Sequence, residues 1–191
     1  MIVSTFTAVF DACVFYPAPL RDLLMQLALT GLFRARWTDR IHEEWIAALL
    51  ERRPDLRRER LLRTRGLIDS SAPDCLVTGY EHLMEGLELP DPDDRHVLAA
   101  AIRCNAAVIV SFNQSDFPAG YLAEFGIEVQ HPDEFIGHLI DLAPDRVFLA
   151  AKKVRARLKN PPRSADEYLE TLAAQGLPET VTTLRRYRDL I

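Results

Sequence analysis

The run AAVIVSF, residues 106–112, is the clearest β-strand signal in the chain. It is almost wholly apolar and shows no alternation of polar and apolar residues, as expected for a strand that is covered on both faces. Such strands are typical of parallel sheets, because the helical crossovers between the strands cover both faces of the sheet. The run therefore favours an α/β fold built on a parallel sheet.

Other segments fit the same plan. A β-branched and aromatic stretch that ends near Asp11 predicts a first buried strand, and residues 72–79 and 127–130 predict two shorter strands. Segments with helical periodicity separate these strands. Strands that alternate with helices pair in parallel through right-handed crossovers, which predicts a three-layer α/β/α sandwich with a central parallel sheet.

The predicted helices divide the chain into two parts. Thr38 or Asp39 caps one early helix, and an arginine-rich helix extends from about residue 54 to residue 66. Beyond about Pro144 the pattern is helical only. We therefore expect an α/β domain over residues 1–143 and a C-terminal helical extension over residues 144–191.

Composition narrows the class of protein. The 191 residues are 48% hydrophobic and 27% charged with a net charge of -5, which is typical of a globular protein and excludes extensive disorder. No apolar run is long enough to span a membrane and no signal peptide is recognisable, so we expect a cytoplasmic protein with no membrane partner. Cys13, Cys75 and Cys104 form no C-x-x-C pair, which argues against a disulfide framework or a zinc site.

Polar side chains lie next to the predicted strands at positions where parallel sheets bind ligands. Asp11 follows the first strand, and Asp94 opens the helix before the AAVIVSF strand. Asn113 and Asp116 follow that strand. Ligands bind beyond the carboxyl ends of parallel strands. Clustered carboxylates are tolerated chiefly when a cation neutralises them, and hard oxygen ligands select Mg²⁺ or Mn²⁺, ions that are used for phosphodiester hydrolysis.

Each of these side chains also has a purely local interpretation. Acids at the start of a helix cap it and interact favourably with its dipole, so Asp93 or Asp94 can be a simple cap. Glu44, on an early helix, can be a solvated surface residue, and the polar residues after the AAVIVSF strand can form an Asx-type turn. Asp11 is different, because an acid that ends a buried strand has no evident capping role.

Helical spacing distinguishes the aspartates of the segment DPDD, residues 91–94. Asp94 shares a helix face with the apolar residues Val97 and Ala101, which directs its side chain toward the sheet. Asp93 then has the capping role, and Asp91 lies in the loop.

Four placements taken together resemble the PIN-domain family, which includes the toxin ribonucleases of bacterial VapBC toxin–antitoxin modules. The segment AVFDACVFYP supplies Asp11, IHEEWIAALL supplies Glu44, DPDDRHVLAAAI supplies Asp94, and VIVSFNQSDFP supplies Asn113 and Asp116. The resemblance spans roughly residues 5–135. It departs from the family at Cys13, where asparagine is common, and at Asn113, where many members have aspartate.

The resemblance implies a Mg²⁺- or Mn²⁺-dependent endoribonuclease that is the toxin of a type II toxin–antitoxin module. It implies RNA as the substrate, a cognate antitoxin as a protein partner and, as in some members, a homodimer. It assigns catalysis to Asp11, Glu44, Asp94 and Asp116, metal binding to Asp11, Asp94 and Asp116, and supporting roles to Asn113, Ser111 and Asp93. The alternative is a catalytically weak or inactive RNA-binding module of the same fold, which the asparagine at position 113 keeps open.

Two basic segments are candidates for contact with nucleic acid. Residues 52–66 include seven arginines, whose guanidinium groups can bind RNA phosphates. We take five of them as the candidate RNA contacts: Arg52, Arg53, Arg57, Arg58 and Arg60. The alternative is a solvated surface helix on which these arginines pair with nearby acids. The second segment, KKVRARLK at residues 152–159, we interpret as a solvated helix face.

Overall fold

Residues 5–191 are described by a computed structural model, and they form a central sheet of four strands. The strands are β1 (Phe6–Phe10), β2 (Phe33–Arg36), β3 (Val108–Val110) and β4 (Glu128–Gln130). They lie in the order β2-β1-β3-β4, and every adjacent pair is parallel. Helices flank this sheet, so the predicted three-layer α/β/α class with a C-terminal helical extension is confirmed.

Helices connect and follow the strands throughout the described residues. The α-helices are α1 (Ala12–Phe15), α2 (Ala18–Ala28), α3 (Asp39–Arg52), α4 (Arg58–Ser71), α5 (Arg95–Arg103), α6 (Ala119–Ala123), α7 (Pro132–Leu142), α8 (Pro144–Arg157), α9 (Ala165–Ala173) and α10 (Pro178–Arg186). Short 3-10 helices cover Glu81–Gly86, Pro92–Asp94, Gln114–Asp116 and Arg188–Leu190. Among residues 5–191, no helix is long and apolar enough to cross a membrane.

The described residues form two compact units. The first contains the residues up to Tyr16 together with Phe33–His131, and it holds the whole sheet. The second contains Pro17–Leu32 and Pro132–Ile191, and it holds α2 and α7 to α10. The expected boundary after residue 143 stays a prediction.

The two central strands are apolar because both of their faces are covered. Ala8, Val9 and Phe10 of β1 are 0% exposed, and every residue of β3 is buried. Phe10 pairs with Val110, so the two strands end at the same level of the sheet. The chain continues from β1 to β2 on one side and places β3 on the other, and parallel sheets bind ligands at such a switch of strand order.

Strand β2 is not among the predicted elements. Phe33 and Ala35 are buried whereas Arg34 is exposed, so the strand alternates in burial along its length. It lies at the edge of the sheet, where one face and one side are open to charged residues. Because arginines interrupt its apolar residues, β2 does not form the continuous apolar run by which the buried strands are predicted.

The strand predicted over residues 72–79 is wrong. An isolated bridge joins Leu76 to Trp37, and within the described chain it does not extend into a ladder. Asp74 has a φ of 56°, a left-handed conformation that turns the chain just before the bridge. The segment therefore touches the end of β2 without becoming a fifth strand.

Helix α4 is shifted relative to the predicted arginine-rich helix. The prediction covers residues 54–66, whereas the observed helix extends from Arg58 to Ser71. Two hydrogen bonds of 2.8 and 2.7 Å join the Arg53 guanidinium to the Asp55 carboxylate in the turn before the helix. Local pairing of polar residues competes with helix formation in such a segment.

Two capping arrangements organise the helices of the second unit. The Ser164 side chain accepts a hydrogen bond from the Glu167 amide at 3.2 Å, and the Glu167 carboxylate accepts one from the Ser164 amide at 2.8 Å. This capping box begins α9. Buried Asp133 of α7, a helix that is not among the predicted elements, accepts hydrogen bonds from the amides of Glu179 and Thr180 in α10 at 2.9 and 2.8 Å.

Candidate active site

Asp11 lies at the carboxyl end of β1 and is 5% exposed. Its Oδ1 accepts a hydrogen bond from the Ala12 amide at 2.6 Å, and its Oδ2 accepts one from the Ser111 hydroxyl at 2.7 Å. The Asp11 amide donates to the Val110 carbonyl at 3.1 Å, which ties the residue to the end of β3. Asp11 therefore caps α1, contrary to the expectation that it has no capping role, and its carboxylate is fixed at the same time.

Cys13 adds a third contact to this carboxylate. Its Sγ lies 3.1 Å from Asp11 Oδ2 as a donor, and it accepts a hydrogen bond from the Phe112 amide at 3.3 Å. Burial raises the pKa of the Cys13 thiol strongly, and the nearby Asp11 carboxylate raises it further. The thiol therefore stays protonated and orients Asp11 at a position where the sequence departs from the PIN-domain pattern.

Two of the three aspartates before α5 have roles different from those expected. Asp91, expected in the loop, accepts a hydrogen bond from the Asp93 amide at 2.9 Å and so caps the 3-10 helix that precedes α5. The Asp93 side chain, expected to be the cap, is 93% exposed and makes no capping hydrogen bond. Asp94 also makes no side-chain capping hydrogen bond, although it occupies the cap position of α5. Capping therefore does not explain Asp94.

Asp94 is half-buried near other carboxylates. Burial raises its pKa to about 7, with further contributions from Asp11, Asp91, Asp116 and Glu44 in that order. Each of these groups acts on Asp94 because its negative charge disfavours a second ionised carboxyl nearby. The structure therefore brings together the acids that the sequence places on four separate elements.

Glu44 projects from α3 and is held by two basic side chains. Arg40 Nε donates to Glu44 Oε1 at 3.1 Å, and its Nη2 donates to the Asp93 carbonyl at 3.3 Å. Buried His96 of α5 places its Nε2 2.9 Å from the same Glu44 oxygen, a close contact without hydrogen-bond alignment. Arg40 thus links α3 to the start of α5 and positions Glu44 beside Asp94.

These side chains surround an open pocket of about 370 Å³. Its lining includes four residues predicted for catalysis or its support, Asp11, Glu44, Asp94 and Asn113, and one predicted RNA contact, Arg52. Cys13 and Tyr16 also line it. Asp116 and Ser111 are not part of the lining. Asp116 acts on Asp94 through its charge, and Ser111 acts through its hydrogen bond to Asp11.

The predicted arginines separate into two groups. Arg52 lines the pocket, and its guanidinium lies 5.4 Å from the centroid of the Tyr16 ring. Arg53 is paired with Asp55, and Arg57, Arg58 and Arg60 are exposed residues outside the pocket lining. The structure therefore places one of the five arginines at the candidate site.

Some residues at the site are not predicted from the sequence. Arg40 could have been found, because its spacing of four residues from Glu44 places both on one helix face. Cys13, Tyr16 and His96 carry no such signal. Their positions at the site depend on how α1, α3 and α5 pack in three dimensions.

The donor set suits a hard divalent cation. Carboxylate and amide oxygens from three of the four acidic positions and from Asn113 face one pocket, and the raised pKa of Asp94 reports negative charge that a cation would neutralise. Among residues 5–191, no three side chains form a compact group ready to hold a metal ion. Three of the acids therefore line one pocket without forming such a compact group.

Comparison with known proteins gives two family matches and one relative. Residues 7–115 match the PIN domain family, and residues 132–186 match the family described as the VapC50 C-terminal domain. A protein of Mycobacterium tuberculosis (strain ATCC 25618 / H37Rv) named "Putative ribonuclease VapC50" is 33% identical over 121 residues, which are 61% of this chain and 70% of the relative. No solved structure matches the chain.

Proposed function

Because this chain belongs to the PIN-domain family as a VapC-like member, we propose that it is a metal-dependent endoribonuclease and the toxin of a type II toxin–antitoxin module. The convergence of acids at the carboxyl ends of β1 and β3 carries the proposal. Asp11, Glu44 and Asp94 line one pocket, and Asp116 acts on Asp94 through its charge. Structural capping alone would not gather these acids from four elements.

The cation that we propose is Mg²⁺ or Mn²⁺. Asp11, Asp94 and Asp116 would hold it, with Asn113 at the edge of the same pocket. When bound, such an ion lowers the pKa of a water molecule and neutralises charge on the phosphate. Oxygen donors without an aligned imidazole or thiolate favour these ions over zinc.

The residues of the chain prepare this site for RNA. The Ser111 hydroxyl and the Cys13 thiol orient the Asp11 carboxylate, so this group needs no rearrangement of its own to face the pocket. Arg40 holds Glu44 at the pocket wall, where the carboxylate can accept a proton from the attacking water. Hydrogen-bonded side chains of this kind lower the cost of orienting groups during the reaction.

Two other residues that line the pocket, Arg52 and Tyr16, are suited to recognise RNA. The Arg52 guanidinium is a donor for phosphate oxygens, and the Tyr16 ring beside it offers a surface on which a base can stack. Among the described residues, Arg52 forms no ion pair with a carboxylate. Its charge is therefore available to the RNA backbone.

An RNA cleavage assay with Mn²⁺ tests the proposal. Asp11→Asn and Glu44→Gln should each reduce the cleavage rate by about 100-fold or more, because each removes a negative charge at the reaction centre. Glu43→Gln is the matched control, since Glu43 is the exposed neighbour of Glu44 outside the pocket lining. Equal rates in all variants would refute the site assignment. Binding of RNA by a wild-type protein that does not cleave it would instead support the inactive RNA-binding module.

The partners that we propose follow from the VapC-like membership. They are an RNA substrate, a cognate antitoxin protein and a second copy of the chain in a homodimer, all in the cytoplasm. Co-purification with the product of a neighbouring small gene would support the antitoxin partner. If expression of this chain arrests growth equally with and without that product, the result argues against the toxin–antitoxin role.

A further inference from the structure

The second unit contains an open cavity of about 490 Å³ that the proposed catalytic site does not use. Helices α2 and α8 supply its lining, which includes Gln26, Leu29, Arg146, Leu149, Lys153 and Arg157. We refer to this cavity as the α2–α8 cleft. Two leucines at the cleft, Leu29 and Leu149, are 54% and 51% exposed, so its lining is both basic and apolar.

Three cations line the cleft from one face of α8. Arg146, Lys153 and Arg157 are spaced by seven and four residues, which places them on the same side of a helix. At 1.5 Å of rise per residue, the last two are separated by about 6 Å along the helix axis. The segment predicted as a solvated helix face therefore contributes two of its cations to a concave surface.

Acidic residues do not neutralise this cluster directly. In the described part of the chain, none of the three cations forms an ion pair with a carboxylate. Asp22 of α2 interacts electrostatically with Arg157, although burial raises the pKa of Asp22 and so disfavours its ionised form. The cleft therefore keeps a net positive charge.

Neutral oxygen atoms hold the two arginines in place. Arg157 Nη2 donates to Gln26 Oε1 at 2.6 Å, and Arg146 Nη1 donates to the Thr30 carbonyl at 3.2 Å. Gln26 is 5% exposed, so the oxygen that holds Arg157 is itself fixed in place. A guanidinium group that is held by one hydrogen bond keeps further N–H donors, and these donors match the oxygens of a phosphate group.

We propose that the α2–α8 cleft binds phosphate groups of single-stranded RNA, as a second contact in addition to the catalytic pocket. The inference rests on the proposed ribonuclease function for its choice of RNA. Lys153 and Arg157 contact successive parts of the RNA backbone, and the exposed leucines contact ribose or base surfaces. Such a contact adds affinity without reading the sequence of the RNA, because phosphate is common to every nucleotide.

Binding of a short fluorescent single-stranded RNA to the full chain in EDTA tests the proposal without cleavage. Lys153→Gln should weaken binding several-fold and reduce the slope of log affinity against log salt concentration by about 0.7, the value for loss of one phosphate contact on a single strand. Lys152→Gln is the matched control, because Lys152 is the adjacent exposed lysine on α8 but does not line the cleft. Equal affinities and slopes for the two variants would overturn the proposal.

Two further measurements separate this proposal from the proposed nuclease activity and from another ligand. The Lys153→Gln variant should cleave a short RNA that occupies only the catalytic pocket at the wild-type rate. The Asp94→Asn variant should lose cleavage and keep the Lys153-dependent binding. A wild type that does not cleave RNA but shows Lys153-dependent binding would refute the nuclease function alone. If oligoglutamate binds through Lys153 and RNA does not, the cleft accepts an acidic protein segment and the RNA proposal is wrong.

Discussion

Replacement of Asp94 by asparagine should stabilise the metal-free protein at neutral and alkaline pH. The carboxyl is half-buried beside Asp11, Asp91, Asp116 and Glu44, and its pKa is raised from 3.8 to about 7. A raised pKa means that the folded state binds the proton more tightly than the unfolded state does. The stability that protonation provides is therefore complete below about pH 4 and is lost as the pH rises through about 7.

The size of the effect follows from the shift in proton affinity. At about 1.4 kcal/mol per tenfold change, the shift sets an upper limit of about 4 kcal/mol. Solvent screening of a half-buried group reduces this limit to about 2 kcal/mol. Asparagine also loses the favourable interaction of the carboxylate with the N-terminus of α5, about 0.5 kcal/mol. We expect Asp94→Asn to raise the free energy of unfolding by about 1 kcal/mol or somewhat more at pH 8.

Urea unfolding at pH 4 and at pH 8, with EDTA present, measures this difference. The gain should be present at pH 8 and absent at pH 4, where the Asp94 carboxyl of the folded wild type is protonated and carries no charge for the neighbouring acids to repel. Asp93→Asn is the matched control, because the Asp93 side chain is 93% exposed and should show no pH-dependent gain. Mg²⁺ should stabilise the wild type and not Asp94→Asn. A variant that is less stable than the wild type at pH 8 would refute the repulsion on which the site assignment depends.

Three other changes probe separate parts of the chain. Ser111→Ala removes the 2.7 Å hydrogen bond to the Asp11 carboxylate. It should lower the free energy of unfolding, measured in urea titrations, by about 1.5 to 3 kcal/mol. An unchanged unfolding midpoint would show that this hydrogen bond does not stabilise the fold. Arg52→Gln should weaken binding of uncleaved RNA several-fold in anisotropy titrations, whereas Arg57→Gln, outside the pocket, should have a smaller effect; the opposite order would place RNA elsewhere. Ser164→Ala breaks the capping box of α9 and should cost about 1 kcal/mol in thermal unfolding with the same cleavage rate; a loss of cleavage would contradict this local role.

From the sequence, each carboxylate could be either a local helix cap or part of the candidate site. The structure shows which of them make capping hydrogen bonds and which lie at the pocket. Asp11 is both a cap and a pocket residue, so its capping hydrogen bond does not argue against a role in the site. Asp91 takes the capping bond expected of Asp93. Asp94 is left without a capping bond and inside the cluster of acids, which fits the sequence-based expectation that it faces the sheet.

The sequence by itself determined the parallel α/β class and the order of the acidic positions. Strands β1 and β3 are buried on both faces, and burial on both faces leaves a continuous apolar run that can be recognised without coordinates. Asp11, Asn113 and Asp116 closely follow these strands in the chain, so their location at the carboxyl ends follows from local order alone. The edge strand β2 was not predicted, because an edge strand need not be apolar on both faces and so lacks a continuous apolar run.

Only the tertiary structure decided which other side chains meet those acids. Ser111 and Asp11 are 100 positions apart and share a 2.7 Å hydrogen bond because β1 and β3 end at the same level. His96 reaches Glu44 because α5 and α3 approach each other at the pocket, and Arg157 reaches Gln26 across 131 positions. Contacts of this kind depend on the packing distance between elements, and periodicity along the chain carries no information about that distance.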